Sequence, residues 1–458
     1  MILPPQLVML AWLPILLSIF TKFSSRRAVI ISFLVAWLFL PQRASFALPG
    51  LPDYTRISAT CYGILLATFL FDGQRFRSFK FGWLDVPMVI ACICPFFSSM
   101  SNDLGAYDGL SATLNQIVSY GFPYFLGRIY FNDLSGLRQL AIGIFISGLI
   151  YVPLCLYEIK MSPQLHRIVY GYHSYGFVQA IRYGGFRPTV FMLHGLEVGM
   201  WMMSATLIGM WLWQGNVLEK VWNIPINWLV LTLIITLILI KSTGGYAYFA
   251  YGIIILFTAK WFRNSTALLM LIIGISLYLC LASSGNMTVQ KAQPLLSTIS
   301  NIAGPDRAGS LEFRLANEEL LVKKALERPV FGWGGWGRNR VYDYNWEGQL
   351  VSVSVTDSLW IITYGTKGYV GLISLYASSL LPALSFFWTG YPARLWFHPK
   401  IAPAAVLSVI IVLYMLDCTL NAMFNPIFTL VSGGIAGLVM QKQKTSIRTY
   451  SQLGKIKI

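Results

Sequence analysis

Four places in this 458-residue chain gather side chains suited to chemistry. At Thr356-Asp357-Ser358-Leu-Trp360 a carboxylate stands where a long polar stretch gives way to an apolar one. Held within hydrogen-bond reach of an attacking hydroxyl, Asp357 is a candidate general base. An Asp equally suits the N-cap of the helix expected to begin at Ser358. Earlier, Arg182-Tyr-Gly-Gly-Phe-Arg187-Pro188 sets two guanidinium groups ahead of an apolar run carrying His194 and Glu197. Residues three apart share a helical face, and an ionisable pair inside a membrane segment is costly unless paired or used. A structural hydrogen bond within the bundle is the alternative reading of that pair. The third place is Arg314. Leu311, Leu315, Val322 and Leu326 around it follow helical spacing from a Ser310 cap to Glu327, with Pro329 as the stop. Lys323, Lys324 and Arg328 solvate such a helix, whose apolar side would face the bilayer.

The fourth is Pro329-Val-Phe-Gly-Trp-Gly-Gly-Trp-Gly-Arg338. Glycine-rich backbone can cradle phosphate, but the nucleotide fingerprint needs a strand before it and a helix after it. Neither context is present, so a tight turn between interfacial Trp333 and Trp336 is the simpler reading. Arg338 and Arg340 add two permanent charges that suit an anionic headgroup. Lys241 and Lys367 stand near the ends of apolar runs, where a lysine can snorkel. Lys241 is also placed to extend an anion site.

The elements that must position these groups are transmembrane helices. Hydrophobic residues make up 56% of the chain, charged residues 11%, and mean hydropathy is +0.62. Such a composition excludes a soluble Rossmann or barrel enzyme, a disordered chain and a secreted disulfide scaffold. A span needs about 20 mostly apolar residues. Apolar runs fall near 6–20, 28–41, 57–71, 84–98, 111–130, 139–157, 189–213, 224–240, 243–258, 266–283, 366–388, 402–420 and 424–440. The expected fold is therefore all-α: a polytopic transmembrane bundle of about 12–13 spans. The first run is short enough to be a tilted or partial one. Alternate connections hold 17 Lys and Arg in total, against 2 (Arg43 and Arg56) in the opposite short ones. The positive-inside rule makes the richer side, and the C-terminus, cytoplasmic. Connections 158–188 and 284–356 then lie outside.

This gives helices over 1–283 with an external loop near 158–188, a large external loop at 284–356 bearing an amphipathic helix, helices again over 357–440, and a basic cytoplasmic tail at 441–458. The net charge of +16 needs no nucleic acid, because half the cations form the rim beside anionic lipid. The six cysteines read as buried hydrophobes without a disulfide or metal pattern. No Lys or Arg precedes the first apolar run, so a retained N-terminus is expected rather than a cleaved signal.

The order of features from Arg314 onward resembles the O-antigen ligase and O-antigen polymerase superfamily of bacterial envelope glycosyltransferases. A basic residue opens the loop helix (Arg314), then comes Pro-x-x-Gly-x-Gly (Pro329 to Gly334), then a polar pair (Asp357-Ser358), then Gly365 and a Gly-x-x-Gly turn (Gly368 to Gly371). Ser242-Thr-Gly-Gly-Tyr246 looks like that family's polar break between two spans, without its frequent arginine. The family's ligases usually carry His-Asn or a similar pair where this chain has Asp357-Ser358, a departure that weakens "ligase" more than "glycosyltransferase". The motifs cover about 75 residues.

The resemblance implies a glycan donor linked by pyrophosphate to a polyprenyl lipid, on the outer face of the bacterial inner membrane, and an acceptor sugar hydroxyl on a glycan or lipid. It places the protein in cell-surface polysaccharide assembly, beside other assembly proteins. Arginines there would stabilise the departing diphosphate. Arg187 and Arg314 are the first candidates, then Arg182, Arg338 and Arg340, with His194, Glu197 and Lys241 in support and no cofactor or metal. A flippase for lipid-linked sugars would show internal repeats, and none is found. A transferase with a metal-binding acidic motif in its first external loop has only Asp53 to offer. A non-catalytic scaffold, with Asp357 only a helix cap, completes the alternatives.

Overall fold

The computed structural model describes residues 2–48, 50–182 and 184–455. It is 72% helical with almost no sheet. The helices are α1 (Pro5–Lys22), α2 (Ser25–Phe39), α3 (Arg56–Phe71), α4 (Gln74–Ser78), α5 (Val86–Met100), α6 (Ala106–Gln116), α7 (Phe122–Tyr130), α8 (Leu134–Met161), α9 (Leu165–Tyr170) and α10 (Gly195–Gln214). They continue with α11 (Ile226–Leu239), α12 (Thr243–Phe262), α13 (Thr266–Ser283), α14 (Val289–Ala303), α15 (Pro305–Leu326), α16 (Leu359–Ser385), α17 (Ala402–Leu420) and α18 (Pro426–Lys455). Among short antiparallel hairpins, β1 (Ile181–Arg182) pairs with β2 (Gly185–Phe186), and β3 (Tyr342–Tyr344) with β4 (Leu350–Ser352).

Each of the thirteen apolar runs contains a helix. Among the described residues, six helices are long and apolar enough to cross a membrane, α1 included, and α3 and α11 are shorter apolar helices. The chain is thus a helical protein built for a bilayer, where a segment must satisfy its own backbone hydrogen bonds. The bundle's centre is formed by α10 and α17, nearly every residue of which is buried. Helices α7 and α18 approach most closely: a side chain at Gly127 or Gly433 would overlap the backbone of the other helix. Small residues at such a contact let van der Waals packing hold helices together where lipid offers no hydrophobic drive. Beside it, Arg128 donates to Asp85 at 2.7 and 3.2 Å while Tyr124 donates to the same carboxylate at 3.0 Å, a buried pair with its hydrogen bonds satisfied.

Several expectations need correction. The loop helix α15 starts at Pro305 rather than after Ser310, since Gly304 at φ +90° breaks the chain from α14 and proline suits the first helical turn. Of its expected apolar side, Leu315 and Val322 are buried against the protein, with Leu321 and Ala325 beside them, while Leu311 is half-buried and Leu326 exposed. Helix α14 has no counterpart in the expected elements. Helix α16 begins at Leu359 with Ser358 as its N-cap, so Asp357 does not cap it. Cys280 is exposed, on the outer side of α13, while the other five cysteines are buried and all six are free. Of the basic tail, side chains from 443 onward and the backbone of 456–458 lie outside the described residues, as does the start at Met1.

Candidate anion and acid–base site

The loop bearing Arg182 and Arg187 is anchored by one carboxylate. Glu158, near the end of α8 and fully buried, accepts from the backbone N–H of Leu165 (2.8 Å), Thr189 (2.8 Å) and Val190 (2.7 Å). His166 adds a second tie. Its Nε2 accepts from Gln42 N at 3.1 Å, which leaves Nδ1–H to donate to the Tyr172 carbonyl at 2.8 Å. From this base the β1–β2 hairpin projects, with Arg187 N bonded to Ala180 O at 2.7 Å.

The aliphatic stem of Arg187, at Cγ and Cδ, lies across Gly195, the first residue of α10, where any side chain would collide with it. Its Nη2 donates to the Lys241 carbonyl at 3.5 Å, and its Nε is buried with no partner. Lys241, at φ +58° between α11 and α12, reaches the Arg182 carbonyl with Nζ at 3.5 Å. Ser242 caps α12 by accepting from Gly245 N, the polar break expected there. Burial first, then Arg182, pulls the Arg187 pKa down to about 10. A helix N-terminus carries about half a positive charge. Arg182 and Arg187 form no ion pair among the described residues, so the end of α10 gathers positive charge with no protein carboxylate bonded to either guanidinium.

His194 belongs to this cluster as the N-cap of α10. Its Nδ1 accepts from Leu196 N at 3.1 Å, and Nε2 faces Gln179 Oε1 at 3.2 Å, which fixes the neutral tautomer with hydrogen on Nε2. The expected His194–Glu197 pairing does not form between the side chains. Glu197 turns back to accept from Leu193 N at 3.1 Å, because capping geometry directs His194 at the helix's own N–H groups.

A second cluster surrounds Arg314. Its Nη1 donates to Leu420 O at 3.2 Å, at the end of α17. Arg314 and Asp357 line one small cavity of about 20 Å³, with Glu318, Ser358 and Tyr278. Asp357 is exposed and forms no hydrogen bond among the described residues, whereas Glu318 accepts from Tyr278 (2.8 Å), Trp360 Nε1 (3.2 Å) and Ser358 (3.3 Å). Burial raises the Glu318 pKa, and these donors and Arg314 draw it back. Beneath lies Asp417, accepting from Asn421 at 2.6 Å, with Oδ2 buried and unpartnered and the Tyr248 hydroxyl beside it. Asp417 is close enough to Arg314 and to Glu197 for their charges to interact, which links the two clusters across the end of the bundle.

The structure thus unites Arg314 with Asp357, and Arg182 with Arg187, His194 and Lys241. Arg338 and Arg340 belong to neither group. Arg338 is exposed, donating to Trp333 O at 3.1 Å, and Arg340 lies 5.1 Å from the Trp336 ring centre. Sequence reasoning missed Glu318 and Asp417. Glu318 stands one turn after Arg314, on the same helical face. Asp417 is the sole acid between 402 and 440, and a carboxylate inside an apolar run is a signal in itself.

The glycine-rich run forms a built-in part of α16 rather than a surface turn. Helix α16 breaks at Gly368 (φ +62°, ψ −162°), and Pro329–Gly334 packs along the break. Tyr369 N donates to Pro329 O (2.7 Å), Val370 N to Val330 O (3.2 Å), Trp333 N to Gly365 O (2.9 Å) and Gly334 N to Thr366 O (3.0 Å). Backbone groups freed by the break are therefore satisfied by the loop. Ser98 of α5 donates to Phe331 O, and Asn102, in the turn that follows α5, donates to Gly332 O at 2.8 Å. No model of a known protein family matches the chain, and no curated protein matches it.

Proposed function

We propose that this protein is a membrane glycosyltransferase of the O-antigen ligase and polymerase type, moving a glycan from a polyprenyl-pyrophosphate donor to an acceptor sugar hydroxyl outside the cytoplasmic membrane. In this reading it crosses the bacterial inner membrane 12 or 13 times. Residues 158–188 and 284–356 lie outside and the basic tail inside, as the positive-inside distribution requires. The observation that carries the reading is Arg187: a buried guanidinium with an unpartnered Nε, beside a second arginine, at the N-terminus of a buried helix. Desolvated positive charge of this kind calls for an anion, and guanidinium binds phosphate oxygens in forked pairs. Support also comes from the contact between Pro329–Gly334 and Gly365–Val370, two of the segments on which the family resemblance rests.

Outside the cytoplasm the energy for a glycosidic bond must arrive with the donor. The acceptor oxygen attacks the anomeric carbon as its proton passes to the Asp357 carboxylate. The bond from that carbon to the pyrophosphate oxygen breaks, and polyprenyl diphosphate leaves with the electron pair, so the configuration inverts. Arg187, Arg182 and Lys241 receive the charge that grows on the leaving group, an interaction stronger in the transition state than before it. Arg314, across the cavity from Asp357, orients the acceptor. The test is turnover by the purified full-length protein in proteoliposomes supplied with polyprenyl-diphosphate oligosaccharide. Asp357→Asn, Arg314→Ala and Arg187→Ala are each expected to insert normally and to lose roughly a hundredfold or more in rate, the scale of one removed transition-state contact. Full activity in all three removes the site. Transport of intact donor without release of polyprenyl diphosphate favours a flippase, and no activity in the wild type favours a scaffold.

A further inference from the structure

A cavity of about 280 Å³ opens beside the break in α16, away from Arg187 and Arg314. Lys367, the residue before Gly368, points into it and donates to Gln116 Oε1 of α6 at 2.6 Å. Lys367 forms no ion pair among the described residues. The remaining wall is uncharged: Ser99, Asn115 and Ser119 supply polar groups among the apolar Pro95, Ala112 and Ile362, together with the Gly334–Trp336 turn. The N–H groups of Gly335 and Trp336 have no hydrogen-bond partner among the described residues. Arg340, its Nε buried without a partner, adds a second cation 5.1 Å from the Trp336 ring centre. Trp336 in the cavity wall is 65% exposed, and Phe97 and Leu110, on the helices α5 and α6 that contribute to the lining, are 49% and 55% exposed.

We propose that this cavity is a second binding site, for the phosphate monoester head of a lipid, with Lys367 and the Gly335–Trp336 amides on the phosphate and the hydrocarbon tail along the apolar rim. A cation without a carboxylate, facing donors that lack acceptors, is complementary to an oxyanion and to little else. A lysine serves here as a point charge where the arginines at α10 would grip a diphosphate in pairs. The broken helix supplies the reason for the location, since irregular backbone at membrane depth is stable where it is buried in protein or lines a polar cavity. The inference stands apart from the transfer reading, because it concerns equilibrium binding and none of its residues acts on the acceptor.

The experiment measures binding of farnesyl phosphate to the full-length protein in neutral detergent, with farnesol and inorganic phosphate as competitors. Saturable binding to the wild type is expected. Lys367→Met should weaken it about tenfold or more, the scale of one lost charge-assisted hydrogen bond, and Lys367→Arg should preserve most of it. Ala112→Trp fills the cavity from α6 without touching the lysine and should abolish binding, which covers the case of a misfolded Lys367→Met. Wild-type affinity in Ala112→Trp, or equal competition by farnesol, overturns the proposal. Displacement by inorganic phosphate as effective as by farnesyl phosphate overturns the lipid assignment and identifies a free-phosphate site.

Discussion

Replacing Gly368 by alanine tests how α16 and the glycine-rich loop hold one another. The backbone at φ +62°, ψ −162° lies in a region essentially reserved for glycine, worth about 1–3 kcal/mol of strain for any other residue. The added methyl would also overlap the Val330 carbonyl and lie 2.5 Å from Pro329 O. Both are backbone atoms that can yield only by moving the loop. That movement breaks Tyr369 N to Pro329 O and Val370 N to Val330 O, at about 0.5–1.5 kcal/mol each. Together these effects come to roughly 2–6 kcal/mol of local destabilisation, or between about one and four powers of ten in the opening equilibrium. Gly335→Ala, where an added methyl meets nothing within 4 Å, is the control in the same loop.

Hydrogen exchange by mass spectrometry, over peptides spanning 329–336 and 365–372, reads the opening directly. Gly368→Ala should speed exchange in both peptides together, while Gly335→Ala matches the wild type. A milder perturbation removes one donor. Asn102→Ala deletes the amide bond to Gly332 O and should cost about 1 kcal/mol, a severalfold change in the same peptides. If exchange in both segments is unaltered by Gly368→Ala, or altered in one alone, the loop does not brace the helix and the argument fails.

Glu318→Ala leaves the donors of Tyr278, Ser358 and Trp360 without their acceptor and should lower thermal stability by the equivalent of about 2–4 kcal/mol. Glu318→Gln keeps one acceptor oxygen and should lose markedly less; equal losses in thermal unfolding would contradict the role assigned to the carboxylate.

The reach of the sequence follows the range of the forces involved. A bilayer-crossing segment must be apolar along its length and hydrogen-bonded within itself, so the apolar runs near 139–157 and 402–420 announce α8 and α17 with no knowledge of their neighbours. The polar break at Ser242 is legible for the same reason, since the cap and its Gly245 donor are three residues apart. Ends of helices are set by finer competition: Gly304 and Pro305 outrank Ser310 in starting α15, and Ser358 displaces Asp357 from the cap of α16 by a single position.

What the sequence could not disclose is pairing over distance. Lys367 reads as a snorkelling side chain until Gln116, 251 residues away, is seen to hold it inward. The Gly332–Gly337 run reads as a surface turn because the broken helix it braces lies more than thirty residues downstream. In both cases the local signal was a cost without its compensation: a charge inside an apolar run, and four glycines in a segment that must stay ordered. In a membrane, where water cannot satisfy an unpaired group, such a cost implies a partner elsewhere in the chain or a ligand. For Lys367 Gln116 meets one of the three ammonium protons, and for Arg187 a carbonyl meets one nitrogen while Nε is left over. That remainder is the physical ground for assigning anions to both places.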